Sequence, residues 1–278
     1  MLAPRDVEVL ANALRLGGDF CAQLPPWPAI SLLACTLKQR HDGPVVLVTD
    51  GPATLERTVS DLAALAPFFA LETAVAAYPA WESFSSAAGA NQPGLAGERL
   101  ATLRRLSAGE GPLIVVTSVQ AMMQKTVSPA WVTDRFPALR VGEERDVGAL
   151  LQWLEQTGYV FESEVLSPGQ ASLRGGILDV WPPGAAWPLR VEFFGNTVDS
   201  LRSFDPAGQR SRESLTEAVL PPAGEREDAR GPRHAFAEHV PEGAVWMWID
   251  GGSLDMHAGL LEHSAREAGA ADAVWPHA

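Results

Sequence analysis

Long apolar runs are missing from this 278-residue sequence. Stretches such as Leu113 to Val116 end quickly in Gly, Pro or polar residues, far short of the roughly 20 residues that cross a bilayer as a helix, so no membrane span is expected. Met1 to Gly18 carries Asp6 and Glu8 among its apolar residues and has neither a basic start nor an unbroken apolar core. No secretory signal is read there, and the expected address is the cytoplasm. Cysteine is scarce. Cys21 and Cys35 are the only two, and without Cys or His neighbours at ligand spacing they predict neither a metal site nor a disulfide framework. Basic residues are outnumbered, 21 Lys and Arg against 34 Asp and Glu, for a net charge of −13. A surface of that sign repels phosphate, since nonspecific nucleic-acid binding rests on Lys and Arg. Any DNA contact must therefore be local or come from sequence beyond this chain.

The strings that carry common chemistries are missing too. No GxxxxGK[ST] loop exists, and the place where one would sit reads LPPWPAIS (Leu24 to Ser31), whose prolines remove the N–H donors that a phosphate needs. Val45 to Asp50 imitates the apolar run ending in Asp of a nucleotide-hydrolysing strand, but such strand ends are common in α/β domains. HExxH and GxSxG are absent. Of the histidines, His234 and His239 are read as solvated loop residues. Glu82, Asp179, Glu192 and Asp205 are read as salt-bridging or solvated carboxylates and not as an acid–base pair. Arg99, Arg104 and Arg105 share a helix with Leu100, Leu103 and Leu106 and are read as its solvated basic face. No catalytic residue, cofactor-binding residue or metal ligand is assigned.

What is present is 46% hydrophobic and 20% charged, the balance of a folded domain with a core. Val7, Leu10 and Leu14 predict an amphipathic helix ended by Gly17-Gly18, and a second helix follows the prolines before Arg40. Val45 to Thr49 and Leu113 to Thr117 are continuous β-branched runs of the kind buried on both faces, with helices from Pro52 to Leu65 and from Glu98 to Leu106. This alternation predicts a parallel sheet. Ser83 to Gly97 reads as a loop. After Thr126 the pattern changes: a helix from Val147 to Gln156, then Tyr159 to Val165, Arg174 to Pro183, Pro188 to Phe194 and Thr197 to Asp205 as an antiparallel meander, with Gly195-Asn196 as a II′ hairpin turn. Leu220 to Pro232 reads as linker. Val245 to Asp250 predicts a strand that resumes the first sheet, and Ser253 is the expected cap of a helix running to Ala268. The chain stops at Ala278 just after Trp275-Pro276 without a charged tail, and a longer parent polypeptide is expected.

One strand is unusual. Along Leu189 to Phe194 the period of two puts Leu189, Val191 and Phe193 on the core face and Arg190, Glu192 and Phe194 on the other. A full aromatic beside an arginine outside the core is the profile of a protein-binding surface. The facing of Arg174 is left open, because Gly175-Gly176 is a place where a bulge resets the phase.

The string RGGILDVWPPG followed by PLRVEFFGNTVDSLRSFDPAGQRS, within Arg174 to Ser211, resembles the signature shared by UvrB and the N-terminal module of transcription-repair coupling factors. HDGPVVLVTD (His41 to Asp50), YPAWESFSS (Tyr78 to Ser86) and LIVVTSVQAMMQKT (Leu113 to Thr126) extend the resemblance over about residues 41–222. UvrB carries a working phosphate loop and a long aromatic-rich β-hairpin that threads damaged DNA. Here the loop is LPPWPAIS and Ser83 to Gly97 has no tyrosine, departures that match the coupling factor. The resemblance implies a degenerate P-loop-type α/β domain in two halves (1–125 and 212–278) with an inserted smaller α+β domain (126–211) that binds UvrA. The family's UvrA-contacting positions match Arg174, Arg190 and Phe194. It also implies that ATP, stalled RNA polymerase and DNA are handled by motor and polymerase-binding domains outside this chain, and that the motor covers the docking surface until polymerase is engaged. This chain is then an adaptor and not an enzyme. The alternative, an ATP-dependent damaged-DNA helicase of the UvrB type, predicts ATPase activity and damaged-DNA binding.

Overall fold

The computed structural model describes residues 29–71, 74–83, 92–134, 136–225 and 234–276. The helix expected at Val7 to Leu16, Cys21 and the prolines of LPPWP lie outside them. In chain order the first elements are α1 (Ala29–Arg40), β1 (Val45–Thr49), α2 (Pro52–Leu65), β2 (Val75–Tyr78), α3 (Pro93–Ala108), β3 (Ile114–Ser118), α4 (Val119–Met123) and α5 (Pro129–Asp134). They continue with β4 (Ala138–Arg140), α6 (Val147–Gln156), β5 (Val160–Phe161), β6 (Gln170–Arg174), β7 (Ile177–Val180), β8 (Leu189–Phe194) and β9 (Thr197–Asp205). The last are β10 (Arg210–Leu215), β11 (Glu217–Val219), β12 (Val245–Trp248) and α7 (Gly251–Glu267). These form two compact units. One comprises the described residues of Met1–Ala80, Thr102–Lys125 and Ala235–Ala278, the other those of Trp81–Ala101 and Thr126–His234.

The first unit is built on a parallel sheet of order β12-β1-β3-β2. Its two central strands are buried at every position, which is why both read as unbroken apolar runs. Val245 does resume the sheet, pairing with Val45. Leu33 and Leu37 of α1 and Leu55 and Leu62 of α2 pack with Val45, Leu47, Ile114 and Val116. Lys38 closes α1 by donating from Nζ to the carbonyls of His41, Asp42 and Gly43 at 2.6, 3.0 and 2.8 Å, and its burial lowers its pKa. Two expectations are corrected here. The cap of α7 is Asp250, whose carboxylate accepts from the Ser253 N–H at 3.2 Å, because an N-cap bonds to the third residue after it and Ser253 is that residue. Pro93 to Gly97, expected as loop, is the first turn of α3, since proline is well placed where a helix starts.

The second unit holds a six-stranded sheet of order β10-β9-β8-β7-β6-β5 and a β11-β4 pair. Asp146 caps α6 by accepting from the Ala149 N–H at 3.0 Å, and the helix lays Leu150 and Leu154 on Ala171, Leu178, Leu189, Val191 and Leu201. Gly195 turns the β8–β9 hairpin with φ 61°, as its sequence predicted. The meander is antiparallel from β6 to β10 but not throughout. Val160 and Phe161 pair parallel to β6, so Tyr159 to Val165 contributes only a two-residue strand. Tyr159 itself turns inward, donating its hydroxyl to the Pro221 carbonyl at 2.7 Å, and burial raises its pKa. The linker reading also fails for residues 220–225. Leu220, Ala223 and Glu225 are buried, so that stretch is irregular core.

Gly97 shows how tightly α3 meets the WPPG turn of this unit. A Cβ there would lie 2.6 Å from both the carbonyl carbon and the Cβ of Pro183. Alanine would gain about 1 kcal/mol of helix propensity, yet forcing backbone apart in a packed site costs about 1–3 kcal/mol. Gly97→Ala is therefore expected to be destabilising on balance, read as a lower urea midpoint with an unchanged slope. A raised midpoint would show that the turn yields freely.

Candidate partner-docking face

The face of the six-stranded sheet turned away from the α6 cluster carries the odd residues of β8. Register places Asp179 opposite Arg190, Arg174 opposite Ile177, and Arg202 and Ser200 opposite Arg190 and Glu192. Alternation runs through β6 intact, because Gly175-Gly176 forms the two-residue turn into β7 and inserts no bulge. Arg174 therefore shares a face with Asp179 and Arg190. Register shifts do occur between β8 and β9, where Asp199 is the extra residue, and between β9 and β10 at Ser211 to Ser214, and the alternation of β8 is left unchanged.

The centre of this face is a carboxylate. The Asp179 side chain is only 2% exposed. Its Oδ1 accepts from Arg190 Nε at 2.6 Å, and its Oδ2 accepts from Arg190 Nη2 at 2.7 Å and Arg174 Nη2 at 3.0 Å. Arg190 Nη2 also donates to Gln209 Oε1 at 2.7 Å, and its guanidinium carbon lies 4.3 Å from the centroid of the buried Phe204 ring. The hydrogen bonds that Arg190 donates to Asp179 hold the Arg190 pKa above its ordinary value. Beside this group Glu192 accepts from Ser200 Oγ at 2.8 Å and pairs with Arg202. Its pKa is lowered, first by the Ser200 hydroxyl and then by the Arg202 charge.

Of the three expected contact residues, the structure treats each differently. Phe194 stands out into solvent, 83% exposed, at the end of β8 next to the Gly195 turn. Arg174 is 54% exposed. Arg190 does not reach outward as a free guanidinium; its side chain is 14% exposed and held down by Asp179. Of the four carboxylates read as salt-bridging or solvated, Asp179 and Glu192 form ion pairs, but sequence reasoning did not single out Asp179 as the residue joining the two arginines. The signal was available: period two puts an acid in RGGILDV on the same face as the arginine of LRVEFF once the pair is aligned as a hairpin.

Elsewhere the structure relocates other candidates. Arg99 is not on a solvated face. It is fully buried in the second unit, donating to Glu225 at 2.6 and 3.2 Å with its guanidinium over Trp81 at 4.7 Å. Arg104 does lie at the surface, near Glu110. His239 is buried and bonded to Ser107 at 2.8 Å, against its reading as a solvated loop residue. Asp50, the end of the β1 run, accepts from Ser253 Oγ at 2.8 Å, and a Thr54 hydroxyl lowers its pKa. Cys35 is a buried free thiol whose pKa burial raises. Among the described residues no helix is long and apolar enough to cross a membrane, and no group of three His, Cys, Asp or Glu could hold a metal ion.

The candidate face falls inside a recognised segment. Residues 138–225 match the family model of the UvrB interaction domain. The chain is also similar to the transcription-repair-coupling factor of Bacillus subtilis, 32% identical over 199 residues covering 71% of this chain and 16% of that protein. It is 27% identical over 219 residues to that of Escherichia coli, covering 79% of this chain and 18% of that protein. A Staphylococcus epidermidis relative of the same name is 35% identical over 148 residues, covering 53% of this chain and 12% of the relative. The matched regions thus span less than a fifth of these relatives' lengths. This chain is a relative of the transcription-repair-coupling factors, with the UvrB interaction domain at its residues 138–225.

Proposed function

We propose that this chain is the UvrA-recruiting module of a protein that couples transcription to nucleotide excision repair, acting by docking and not by catalysis. The carrying observation is Phe194, a phenyl ring 83% exposed on the strand face that also holds Arg190 and Arg174. Leaving such a ring in water forfeits the free energy that burying it gains, and aromatic anchors of this kind fill pockets on partner proteins. The two arginines share one carboxylate, so the group keeps a net positive charge in a chain of net charge −13. An acidic group on UvrA completes it through charge-assisted hydrogen bonds.

In this reading the unit with the parallel sheet is a nucleotide-binding-type layer that has lost its phosphate loop, and the unit with the six-stranded sheet, which takes in residues 212–225 as well as 126–211, is the part inserted into it. ATP hydrolysis and the contacts with stalled RNA polymerase and DNA belong to other parts of a longer cytoplasmic protein. The test is capture of purified UvrA by the 278-residue chain. Phe194→Ala is expected to weaken binding by about 2 kcal/mol or more, roughly 30-fold, with an unchanged urea midpoint, since the ring buries little within the chain. Equal capture by both forms would reject Phe194 as the anchor.

A further inference from the structure

The docking arginines are not free to find their geometry. Arg190 spends Nε and Nη2 on Asp179 and Gln209 and lies over Phe204, which leaves Nη1 as its one nitrogen not engaged among the described residues. Arg174 donates only Nη2 to the same carboxylate, leaving Nε and Nη1. Asp179 is almost wholly covered while Arg174 remains half exposed. A buried acid that bridges two arginines this way turns two flexible side chains into a fixed pair of forks, and holding donors in the bound arrangement before association reduces the ordering cost of binding. Gln209 adds a second brace. Its Oε1 accepts from Arg190, while its Nε2 donates to Glu164 Oε1 at 3.0 Å and to the Pro206 carbonyl at 2.9 Å. It holds that position from a left-handed backbone, φ 53°, a conformation glycine adopts more easily. What glutamine adds at this position, where glycine would be less strained, is the set of contacts its side chain makes.

We propose that Asp179 and Gln209 are positioning residues of the docking face: they set the Arg190 and Arg174 forks that receive an acidic group of the partner, without touching it themselves. The inference rests on the UvrA-docking reading. It also separates positioning from charge, because the two predict opposite signs. Asp179→Asn removes one negative charge from the face. If the arginines acted only as positive charge, an acidic partner would bind that variant more tightly, most of all at low salt. If Asp179 positions them, binding weakens although the charge has become more favourable.

The experiment measures UvrA affinity of the whole chain at two ionic strengths, for wild type, Asp179→Asn, Gln209→Gly and Phe194→Ala. It also follows solvent exchange of the Arg190 Nε–H by NMR. Asp179→Asn is expected to bind roughly tenfold more weakly at both salts, the size of losing a hydrogen bond to a charged group. Gln209→Gly relaxes the turn, so its fold is kept, and it is expected to bind about threefold more weakly. Slow Nε–H exchange in wild type should become fast in Asp179→Asn. Should Asp179→Asn fail to fold, Gln209→Gly and wild-type exchange decide alone. Capture of UvrA by wild type with undiminished affinity in Gln209→Gly, tighter binding by Asp179→Asn, or fast exchange in wild type would overturn the positioning role while leaving the docking reading in place. A wild-type chain that does not bind UvrA would overturn both.

Discussion

Replacing Glu225 by alanine is expected to destabilise the chain by about 3–5 kcal/mol, the cost of leaving one member of a buried ion pair without the other. Both side chains are inaccessible, with Arg99 fully covered and Glu225 2% exposed. The carboxylate accepts from Arg99 Nε at 2.6 Å and Nη2 at 3.2 Å, and from the Thr126 hydroxyl at 2.8 Å. Alanine would take from the buried Arg99 guanidinium both of these hydrogen bonds and the charge that balances it, while its contact with the Trp81 face, worth about 2 kcal/mol or more when desolvated, stays in place. The pair itself need not be stabilising, because desolvating two charges offsets much of their attraction. Arg99→Met combined with Glu225→Leu should therefore recover most of the loss, and urea unfolding of the two single variants and the double gives the coupling directly. A Glu225→Ala midpoint close to wild type would mean that water reaches the site and the pair is solvated.

Arg99 also shows how far the sequence could be read. The parallel strands were legible because β1 and β3 are buried on both faces, so composition alone betrays them, and α6 was legible because one stripe of it is apolar. Arg99 was misassigned by charge. Its spacing from Ala96, Leu103 and Leu106 places it inside the apolar stripe of α3, and a charge in such a stripe requires a partner, here supplied 126 positions away. No local pattern encodes that distance. Residues 220–225 were misread for the same reason: Pro, Gly and acid mark a surface linker unless a distant cation pulls the acid inward. At the proposed docking face the strand alternation put Arg190 and Phe194 on the side away from the core, where the structure has them. What alternation cannot give is how far each side chain extends. The register of β7 against β8 decides that, by setting Asp179 opposite Arg190.

The second large effect is expected at Phe204, where fold and docking face depend on one ring. Phe204 is fully buried although it follows Ser200 and Arg202 along the Arg190 side of β9. Arg190 lies diagonal to it across the β8–β9 pair and covers its face at 4.3 Å. Removing the ring costs its transfer free energy and leaves a cavity, about 3–5 kcal/mol for a buried phenylalanine. It also takes the platform from under Arg190, so Phe204→Ala should lower the urea midpoint and weaken UvrA capture together. Phe204→Leu separates the two consequences. A near volume-conserving swap costs less than about 1.5 kcal/mol of stability, so the fold should largely return, whereas the attraction of the guanidinium to an aromatic face, about 0.5–2 kcal/mol, is lost in full. The leucine variant is therefore expected to fold nearly as well as wild type and still to bind less tightly. If it instead recovers stability and binding in parallel, the ring serves only as filler, and Arg190 is held by Asp179 and Gln209 without it.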